Sequence, residues 1–547
     1  MSKIIKYFLF GFAFIVIGLL AGFQIKDHVP GGTIINLDSG LRKLQKALLF
    51  VENNYVEEPD ANKLVDDAIK GLMEGLDPHS FYIPASEMAQ MQEQMEGSFD
   101  GIGIQFNVLD DTIYVETPLP GGPSEKLGIM AGDRIVQVDG EVVAGVGITN
   151  TDVTRLLKGP KGTEVRVTIL RRGVREPLEY TIIRDAIPIN SVDFSYMIEP
   201  GTGYIRVTRF AETTYSEFKT ALSALQEAGM ERLVLDLRGN PGGYMTMAYK
   251  MADEFLATGK MIVSTEGRIP QSKQTYHSTS SIGSFEKGPL VVLIDYGSAS
   301  ASEIVSGALQ DHDRALIVGV RSFGKGLVQI QEEFDDGSAI RIVISKYYTP
   351  SGRCIQKPYD KSSQEYEHEI ADRFESGEIF DESKMTFPDS LKYKTTAGRT
   401  VYGGGGIYPD VFAADDTTGN SDYFTDLRIK DLFRQFAFHY VDTHPDLATR
   451  YASSEAFVRK FEVTPALMRE FTTFAADKGV AYDEQGLATS RSYIDNRLKA
   501  FIGRRLLNDK AFYPIIHEMD NVLQEAVRLM PVAETLEKTG KVELSQR

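Results

Sequence analysis

Two polar side chains, a serine and a lysine, lie at turns after apolar segments and could together cleave an acyl bond. Ser300 follows the apolar run 290–294 (LVVLI) and precedes a helical pattern that starts at Ala301. Lys325 lies 25 positions later, in the glycine turn 323–326 (FGKG). A serine hydroxyl is a weak nucleophile until a neighbouring base takes its proton. Lysine can be that base only when neutral, so burial or nearby positive charge must lower its pKa below about 10.4.

Neighbouring groups could assist this pair. Gln329, four residues after the lysine, could hydrogen-bond the amine and orient it. A helix that starts just after the serine directs backbone N–H groups and its positive dipole end toward an attacked carbonyl. Physical reasoning alone leaves Ser298, Ser300 and Ser302 as alternative nucleophiles. The structural alternative is a helix cap beside an ordinary surface lysine.

Three separated segments, SASASEI at 298–304, RALIVG at 314–319 and FGKGLVQ at 323–329, resemble the core of the carboxy-terminal processing peptidases. These are serine peptidases with a Ser–Lys dyad. The resemblance covers roughly residues 60–415. It implies Ser300 as the nucleophile, Lys325 as the general base and Gln329 as the amide that orients the base.

The segment 236–243 (DLRGNPGG) resembles the DLRxNxGG motif of the same family. The resemblance implies that its glycine turn contributes one oxyanion-hole N–H, from Gly242 or Gly243, and that Ala301 contributes the other. No Gly-Lys-Ser/Thr follows this turn, which disfavours a phosphate loop. Strands and helices that alternate across residues 188–415 predict a parallel sheet in an α/β core. The resemblance implies a crotonase/ClpP-like peptidase fold for that core.

The β-rich segment 98–187 resembles a PDZ domain inserted before the core. The element 132–140 (GDRIVQVDG) supports this interpretation. The implied peptide-binding loop consists of Gly101, Ile102, Gly103 and Ile104. PDZ loops hold a peptide C-terminus through backbone N–H groups while the peptide adds a strand to the sheet edge. The resemblance therefore implies polypeptide substrates that are captured by their C-termini, and the domain could gate the activity.

The N-terminal segment predicts a membrane anchor. Lys3 and Lys6 precede the apolar stretch 7–23, which reaches the lower limit of a membrane-spanning length. Basic flanks stay in the cytoplasm, so the rest of the chain would cross the membrane. We expect an uncleaved anchor at 1–27, with a cleaved signal peptide as the alternative. This predicts an inner-membrane protein of the bacterial cell envelope whose catalytic part faces the periplasm.

The chain of 547 residues is too long for one core, and its composition limits the classes of partner. Besides the anchor we expect a helical region at 28–97, the PDZ domain at 98–187, the core at 188–415 and a helical region at 416–547. The last region could form a homodimer or pack against its own core. A net charge of −18 argues against nucleic acid as a partner. One cysteine and eight histidines without metal-ligand spacing predict no disulfide, metal or cofactor.

Other interpretations of the same residues stay open. A PDZ scaffold on a catalytically idle peptidase fold is the main alternative, although an idle site does not need the three residues of the dyad and its amide. A trypsin-like Ser–His–Asp protease would need a GxSxG-like serine after its histidine and aspartate, and none is present. His79 fits a hydrogen-bonded turn better than a Ser–His dyad. The polar, acidic stretch 361–392 predicts a surface insertion.

Overall fold

A computed structural model describes residues 37–119, 121–279, 283–359, 363–387 and 389–543. The predicted anchor at 1–27 lies outside these residues. Among the helices within these ranges, none is long and apolar enough to cross a membrane.

The first of two compact units ends at Leu76 and contains helices α1 (Leu37–Asn54) and α2 (Ala61–Glu74). Asp60 caps α2, because its carboxylate accepts hydrogen bonds from the first backbone N–H groups of that helix. Both helices have an apolar stripe at helical spacing. Several of its large side chains, such as Leu41 and Phe50, are exposed.

The second unit begins at Asp77 and contains the remaining elements. Its strands are β1 (Phe81–Ile83), β2 (Ser98–Gly101), β3 (Ile104–Leu109), β4 (Thr112–Pro118), β5 (Arg134–Val138), β6 (Glu141–Val142), β7 (Glu164–Leu170), β8 (Leu178–Ile183), β9 (Asp185–Pro188), β10 (Val192–Glu199), β11 (Thr202–Val207), β12 (Arg232–Asp236), β13 (Met261–Gly267), β14 (Gln274–His277), β15 (Leu290–Ile294), β16 (Leu316–Gly319), β17 (Leu327–Glu333), β18 (Ala339–Tyr348), β19 (Lys392–Lys394), β20 (Thr400–Tyr402) and β21 (Val411–Phe412).

The helices of this unit are α3 (Ala85–Glu96), α4 (Pro123–Lys126), α5 (Asn150–Leu157), α6 (Thr214–Glu227), α7 (Met245–Asp253), α8 (Ala301–Asp311), α9 (Ser363–Ser376), α10 (Asp422–Ile429), α11 (Leu432–Thr443), α12 (Asp446–Arg450), α13 (Ser454–Lys460), α14 (Pro465–Asp477), α15 (Glu484–Thr489), α16 (Arg491–Leu507), α17 (Asp509–Ile516), α18 (Asn521–Arg528) and α19 (Met530–Thr539).

A six-stranded sheet forms the centre of the peptidase core, in the order β10-β11-β12-β15-β16-β21. All neighbours are parallel except the β10–β11 pair. Every side chain of β15 is buried, because helices cover both faces of the sheet. Helices α6, α7 and α8 pack on one face, and α18 and α19 on the other. The carboxyl ends of β12, β15 and β16 meet at one edge, which brings the loops after them together.

A second, antiparallel sheet lies beside the core sheet and has the order β1-β18-β13-β14, with β17 also paired to β18. Strand β17 begins two residues after Lys325 and places Gln329 opposite Val343. The C-terminal region divides into two parts. Residues 422–516 form an apolar cluster of their own, whereas α18 and α19 pack on the core sheet.

The inserted β domain starts and ends in the short antiparallel ribbon β2–β9. Its main sheet has the order β3-β4-β5-β7-β8, and β6 pairs with β5. Strand β7 buries Val165, Val167 and Ile169 and exposes the residues between them, as expected for a sheet with one solvated face. Helix α5 begins in a capping box between Thr149 and Asp152. Strand β3 lies at the edge of this sheet, and among the described strands only β4 pairs with it.

Candidate active site

Ser300 occupies a sharp corner between β15 and α8. Its φ of 52° and ψ of −109° are rare for a residue with a side chain, and such conformations cluster at functional sites. Its carbonyl accepts hydrogen bonds from the N–H groups of Glu303 (2.9 Å) and Ile304 (3.0 Å) and from the Tyr347 hydroxyl (3.0 Å). These contacts fix the main chain around the serine and leave its side chain at the start of the helix.

The three serines of this corner differ in what their hydroxyls contact. Ser298 and Ser302 are fully buried. Ser298 Oγ donates to the carbonyl of Leu237 (2.8 Å), and Ser302 Oγ donates to the carbonyl of Asn240 (3.0 Å). Within the described part of the chain, the Ser300 hydroxyl donates to no acceptor, and its oxygen faces the backbone N–H of Glu303 in the capping box of α8. The geometry therefore favours Ser300 among the three alternative nucleophiles.

The carboxylate of Glu303 joins the serine corner to the lysine turn. Its Oε2 accepts hydrogen bonds from the backbone N–H of Ser300 (2.8 Å) and of Lys325 (2.8 Å). Its Oε1 accepts from the N–H of Gly324 (2.7 Å) and the hydroxyl of Ser322 (2.5 Å). Glu303 is fully buried, and this burial raises its pKa while the hydrogen bonds oppose the rise. One buried carboxylate thus sets the distance between the two segments.

The amine of Lys325 lies in an environment that favours its neutral form. Burial lowers its pKa below the ordinary value, and the positive charge of Arg341 lowers it further, while Glu303 acts in the opposite direction. Among the described residues, Lys325 Nζ forms no ion pair or hydrogen bond. A lysine with a lowered pKa and no counter-ion meets the requirement for a general base.

The side-chain amide of Gln329 does not form the predicted hydrogen bond with the Lys325 amine. Its Nε2 donates to the carbonyl oxygen of His79 (2.5 Å), and within the described ranges the amide makes no hydrogen bond to Lys325. The His79 turn reaches this amide because β1, which follows the turn, pairs with β18, the neighbour of β17. His79 Nε2 forms a hydrogen bond with the Tyr366 hydroxyl (2.7 Å), so this ring nitrogen is not available to Ser300. Burial, assisted by the charge of Lys325, lowers the pKa of His79 to about 4.

The glycine turn after β12 contacts the serine corner directly. A Cβ on Gly242, whose φ is +99°, would lie 2.8 Å from Ser300 Cβ and 2.9 Å from the N of Ala301. The N–H of Gly242 donates to Asn240 Oδ1 (2.9 Å). Within the described residues, the N–H groups of Gly243 and Ala301 have no hydrogen-bond acceptor. These two groups are therefore free to bind an oxyanion, and Gly243 is favoured over Gly242.

Helix α9 of the predicted surface insertion at 361–392 packs one face over the lysine turn, while most of its described side chains are exposed. Tyr366 is buried against His79, and Arg373 donates to the carbonyls of Arg321 (2.5 Å) and Ser322 (3.0 Å). The polar composition of the stretch did not indicate that Tyr366 and Arg373 would be buried.

Comparison with known proteins assigns the chain to a family. Peptidase family S41 matches residues 201–361, and a PDZ domain family matches 114–171. The N-terminal domain of the activating protease CtpB matches 25–86, and a family of unknown function matches 423–508. A carboxy-terminal-processing protease of Bartonella bacilliformis is 41% identical over 310 residues, which cover 56% of this chain and 70% of that protein. The chain belongs to the carboxy-terminal processing peptidases of family S41. The predicted family and fold class are confirmed.

Two further proteins are similar to this peptidase. The carboxy-terminal processing protease CtpA of Bacillus subtilis is 36% identical over 326 residues, which cover 58% of this chain and 67% of that protein. A solved photosystem II D1 C-terminal processing protease is 28% identical, and the match covers 68% of this chain and 92% of that one with a TM-score of 0.34.

The PDZ loop of the peptidase directs two main-chain N–H groups away from its own fold. The carbonyl of Ile102 accepts from the N–H (3.1 Å) and hydroxyl (2.6 Å) of Ser124, and the carbonyl of Gly103 accepts from the N–H of Leu119 (2.9 Å). In a trans peptide the N–H points opposite to the carbonyl. The N–H groups of Gly103 and Ile104 therefore point to the other side of the loop. This is the arrangement that carboxylate capture needs, whereas Gly101 lies in the ribbon strand β2.

Two functional residues of the peptidase were missed from the sequence. Glu303 could have been found, because Ser300 and Glu303 have the Ser-x-x-Glu spacing of a capping box. Arg341 lies on β18 with no local pattern that relates it to Lys325. In the described part of the chain, no group of three or more histidine, cysteine or acidic side chains could hold a metal ion.

Proposed function

We propose that this peptidase cleaves polypeptides near their C-termini with Ser300 as the nucleophile and Lys325 as the general base. The observation that carries the proposal is the Glu303 carboxylate, which accepts hydrogen bonds from both backbone N–H groups, of Ser300 and of Lys325, at 2.8 Å. A catalytically idle scaffold would not need a buried charge that holds these two turns together, since burying a charge is costly unless it is fully hydrogen-bonded.

In the proposed reaction, Ser300 Oγ attacks the carbonyl carbon of the scissile peptide and its proton passes to Lys325 Nζ. The carbonyl oxygen becomes an oxyanion that accepts hydrogen bonds from the N–H groups of Gly243 and Ala301. Such donors are worth about 3–4 kcal/mol each in the transition state. Lys325 then returns the proton to the leaving amine, and water attacks the acyl-enzyme with the same lysine as its base.

Gln329 orients the base in this proposal through its oxygen atom. Because Nε2 donates to the carbonyl of His79, the orientation of the amide is fixed and Oε1 remains available as an acceptor. A neutral lysine amine that donates one N–H to this oxygen keeps its lone pair free for the proton of Ser300. The His79 carbonyl would therefore act on the base indirectly, by preventing rotation of the amide.

Substrate capture and location complete the proposal. The N–H groups of Gly103 and Ile104 would bind the C-terminal carboxylate of a polypeptide, and the free edge of β3 would pair with its last residues. The segment 1–27 would anchor the peptidase in the inner membrane of the bacterial envelope, with the catalytic part in the periplasm. The targets would then be envelope or secreted proteins. A homodimer through residues 416–547 stays a prediction.

The dyad is tested with the full chain in detergent micelles and unfolded casein as the substrate. We expect Ser300→Ala and Lys325→Met to abolish cleavage while remaining folded. Lys346→Met, which removes an exposed lysine from β18, is the matched control and should cleave like the parent. Mass spectrometry of the products identifies the cut sites. Cleavage that survives Ser300→Ala would place the nucleophile elsewhere, and an inactive parent would support the scaffold.

Gating by the PDZ domain is tested at its contact with the C-terminal region. Arg434 on α11 forms an ion pair with Glu116 on β4 (3.1 Å) and also bonds Asn107 on β3. Arg434→Glu should release the domain and change turnover of peptides with free C-termini. The double charge exchange with Glu116→Arg should restore the parent rate. Unchanged kinetics in Arg434→Glu would contradict gating through this contact, without bearing on the dyad.

A further inference from the structure

A cavity of about 470 Å³ lies away from the serine and lysine, within the second unit. Its walls come from β10, β11, the loop 415–421 and helices α10, α16 and α17. The cavity therefore lies between one end of the core strands and the C-terminal region. Part of this C-terminal region matches a family of unknown function. Its volume is within the usual range for small-molecule sites.

Three arginines line this cavity, and two of them share one aromatic neighbour. The guanidinium carbons of Arg428 and Arg497 lie 5.6 Å and 5.5 Å from the centroid of the Phe424 ring. Among the described residues, neither guanidinium has an ion pair or a hydrogen bond to protein. The third, Arg206, has a buried Nε without a hydrogen-bond partner. Arg497 is the partly buried member of the three on which no carboxylate acts, so it lacks the compensation that buried charges normally have.

The electrostatics agree with this geometry. Burial lowers the pKa of Arg497 to about 10, and the positive charge of Arg428 lowers it further. No carboxylate contributes to the environment of Arg497, so repulsion between the two cations is not relieved by protein. A bound anion would relieve it.

Four carboxylates also line the cavity, and three of them accept hydrogen bonds from groups other than the three arginines. Asp520 accepts hydrogen bonds from both terminal nitrogens of Arg238, at 3.0 and 2.7 Å. Asp193 accepts from a tyrosine hydroxyl, and Asp416 accepts from the backbone of its own turn. Burial raises the pKa of Asp415; the charge of Arg238 opposes this rise, and the neighbouring carboxylates, among them Asp520, add to it. None of the four acids contributes to the shift in the pKa of Arg497.

We propose that this cavity is a binding site for a small oxyanion, a phosphate or a carboxylate, held by the guanidinium groups of Arg497 and Arg428. Guanidinium groups bind both kinds of oxyanion in a bidentate manner, which gives strong, charge-assisted hydrogen bonds. Arg206 provides a third donor from the strand β11. Phe424 also lines the cavity, and both guanidinium groups lie over its ring.

The site is connected to the oxyanion turn by a chain of ion pairs. Asp520 in the cavity wall binds Arg238, and Arg238 binds Asp236 at the end of β12 (2.7 Å). The segment from Asp236 leads directly into the Gly242–Gly243 turn. Two ion pairs therefore link Asp520 in the cavity wall to the strand that supports the proposed catalytic turn.

The test measures thermal unfolding of the full chain in detergent, with inorganic phosphate in one series and succinate in the other. Sodium chloride keeps the ionic strength constant. Arg497→Gln and Arg428→Gln remove the proposed ligands. Arg450→Gln has the same change in charge but removes an exposed arginine paired with Asp446, and it is the matched control. Isothermal titration calorimetry of the same proteins gives the dissociation constants.

We expect at least one of the two anions to raise the midpoint of thermal unfolding of the parent and of Arg450→Gln, and this rise should saturate with anion concentration. Its affinity should fall about 10- to 100-fold in Arg497→Gln and in Arg428→Gln. Without ligand, Arg497→Gln should unfold at or above the midpoint of the parent, because an uncompensated cation is removed. A response to phosphate alone or to succinate alone identifies the source of the oxyanion.

Three results would overturn the site. The first is an equal rise in the parent and in all three variants, which is the general effect of excluded salts. The second is no response of the parent to either anion. The third is unchanged affinity in both Arg497→Gln and Arg428→Gln. Arg428 is exposed, so its replacement should leave the fold intact even if Arg497→Gln does not fold.

Discussion

The substitution Glu303→Gln tests the central geometric claim, that one carboxylate sets the distance between nucleophile and base. The side chain keeps its shape but exchanges one acceptor oxygen for an NH₂ group. In the native protein each oxygen accepts two hydrogen bonds, one pair from the N–H groups of Ser300 and Lys325 and the other from Gly324 and Ser322. Whichever way the glutamine turns, at least one backbone N–H faces an NH₂ group.

The magnitude follows from the number of bonds lost. A hydrogen bond to a charged group contributes about 1.5–3 kcal/mol, and a buried donor without an acceptor costs a similar amount. Ser322 is the one partner that can reverse its role, because a hydroxyl also accepts. The NH₂ group will therefore face Ser322 and Gly324, with one N–H left unsatisfied. We expect the free energy of unfolding to fall by about 2–4 kcal/mol.

The effect on catalysis should be similar in free energy to the effect on stability, since a 100-fold loss of rate corresponds to about 2.7 kcal/mol. Loss of the bond to Gly324 moves the lysine turn relative to Ser300, and a misplacement of about 1 Å costs roughly 100-fold in rate. The assay is kcat/KM on a fluorogenic peptide, with urea unfolding of the same preparation. Glu332→Gln removes an exposed carboxylate from β17 and serves as the control. If Glu303→Gln keeps kcat/KM within about twofold of the parent, the reasoning about Glu303 is refuted.

Three other changes probe the same site. Gly242→Ala should reduce kcat roughly 100-fold or more, because the new Cβ would lie 2.8 Å from Ser300 Cβ. Gly239→Ala is the control for the positive φ, since Gly239 is in the same turn but has open space around it. Equal kcat values for the two variants would contradict the contact with Ser300. Arg341→Gln should raise the pKa of Lys325, so the acidic limb of kcat/KM should move to higher pH, and an unmoved limb would exclude Arg341 as a cause. Lys325→Met should raise the midpoint of unfolding at neutral pH. The pKa of Lys325 is lowered in the folded protein, so the lysine binds its proton more strongly in the unfolded chain and destabilises the fold at this pH. A lower midpoint in Lys325→Met would contradict this prediction.

Much of the fold could be predicted from local patterns. The apolar run of β15 and the glycine turns are properties of short segments, and the alternation of such strands with helices predicted a parallel core. The inserted PDZ domain was implied by the resemblance of the β-rich segment 98–187. The helix α9 could not be predicted as part of the site. Its buried residues contact the turn at 321–325, some 40–50 positions earlier in the chain, and the polar composition of the stretch does not reveal that contact.

The candidate residues were identifiable from the sequence because their types and order are local information, and the resemblance to a family supplied their implied roles. The sequence could not choose among Ser298, Ser300 and Ser302, or between Gly242 and Gly243. Tertiary structure favours Ser300, because the other two hydroxyls are bonded to carbonyls 61 and 62 positions earlier in the chain. It favours Gly243 because the N–H of Gly242 is already bonded to Asn240. The Glu303 bridge and the arginine cavity have the same origin. By itself the sequence determined which chemical groups are present, and only the folded chain determined which of them remain free to react or bind.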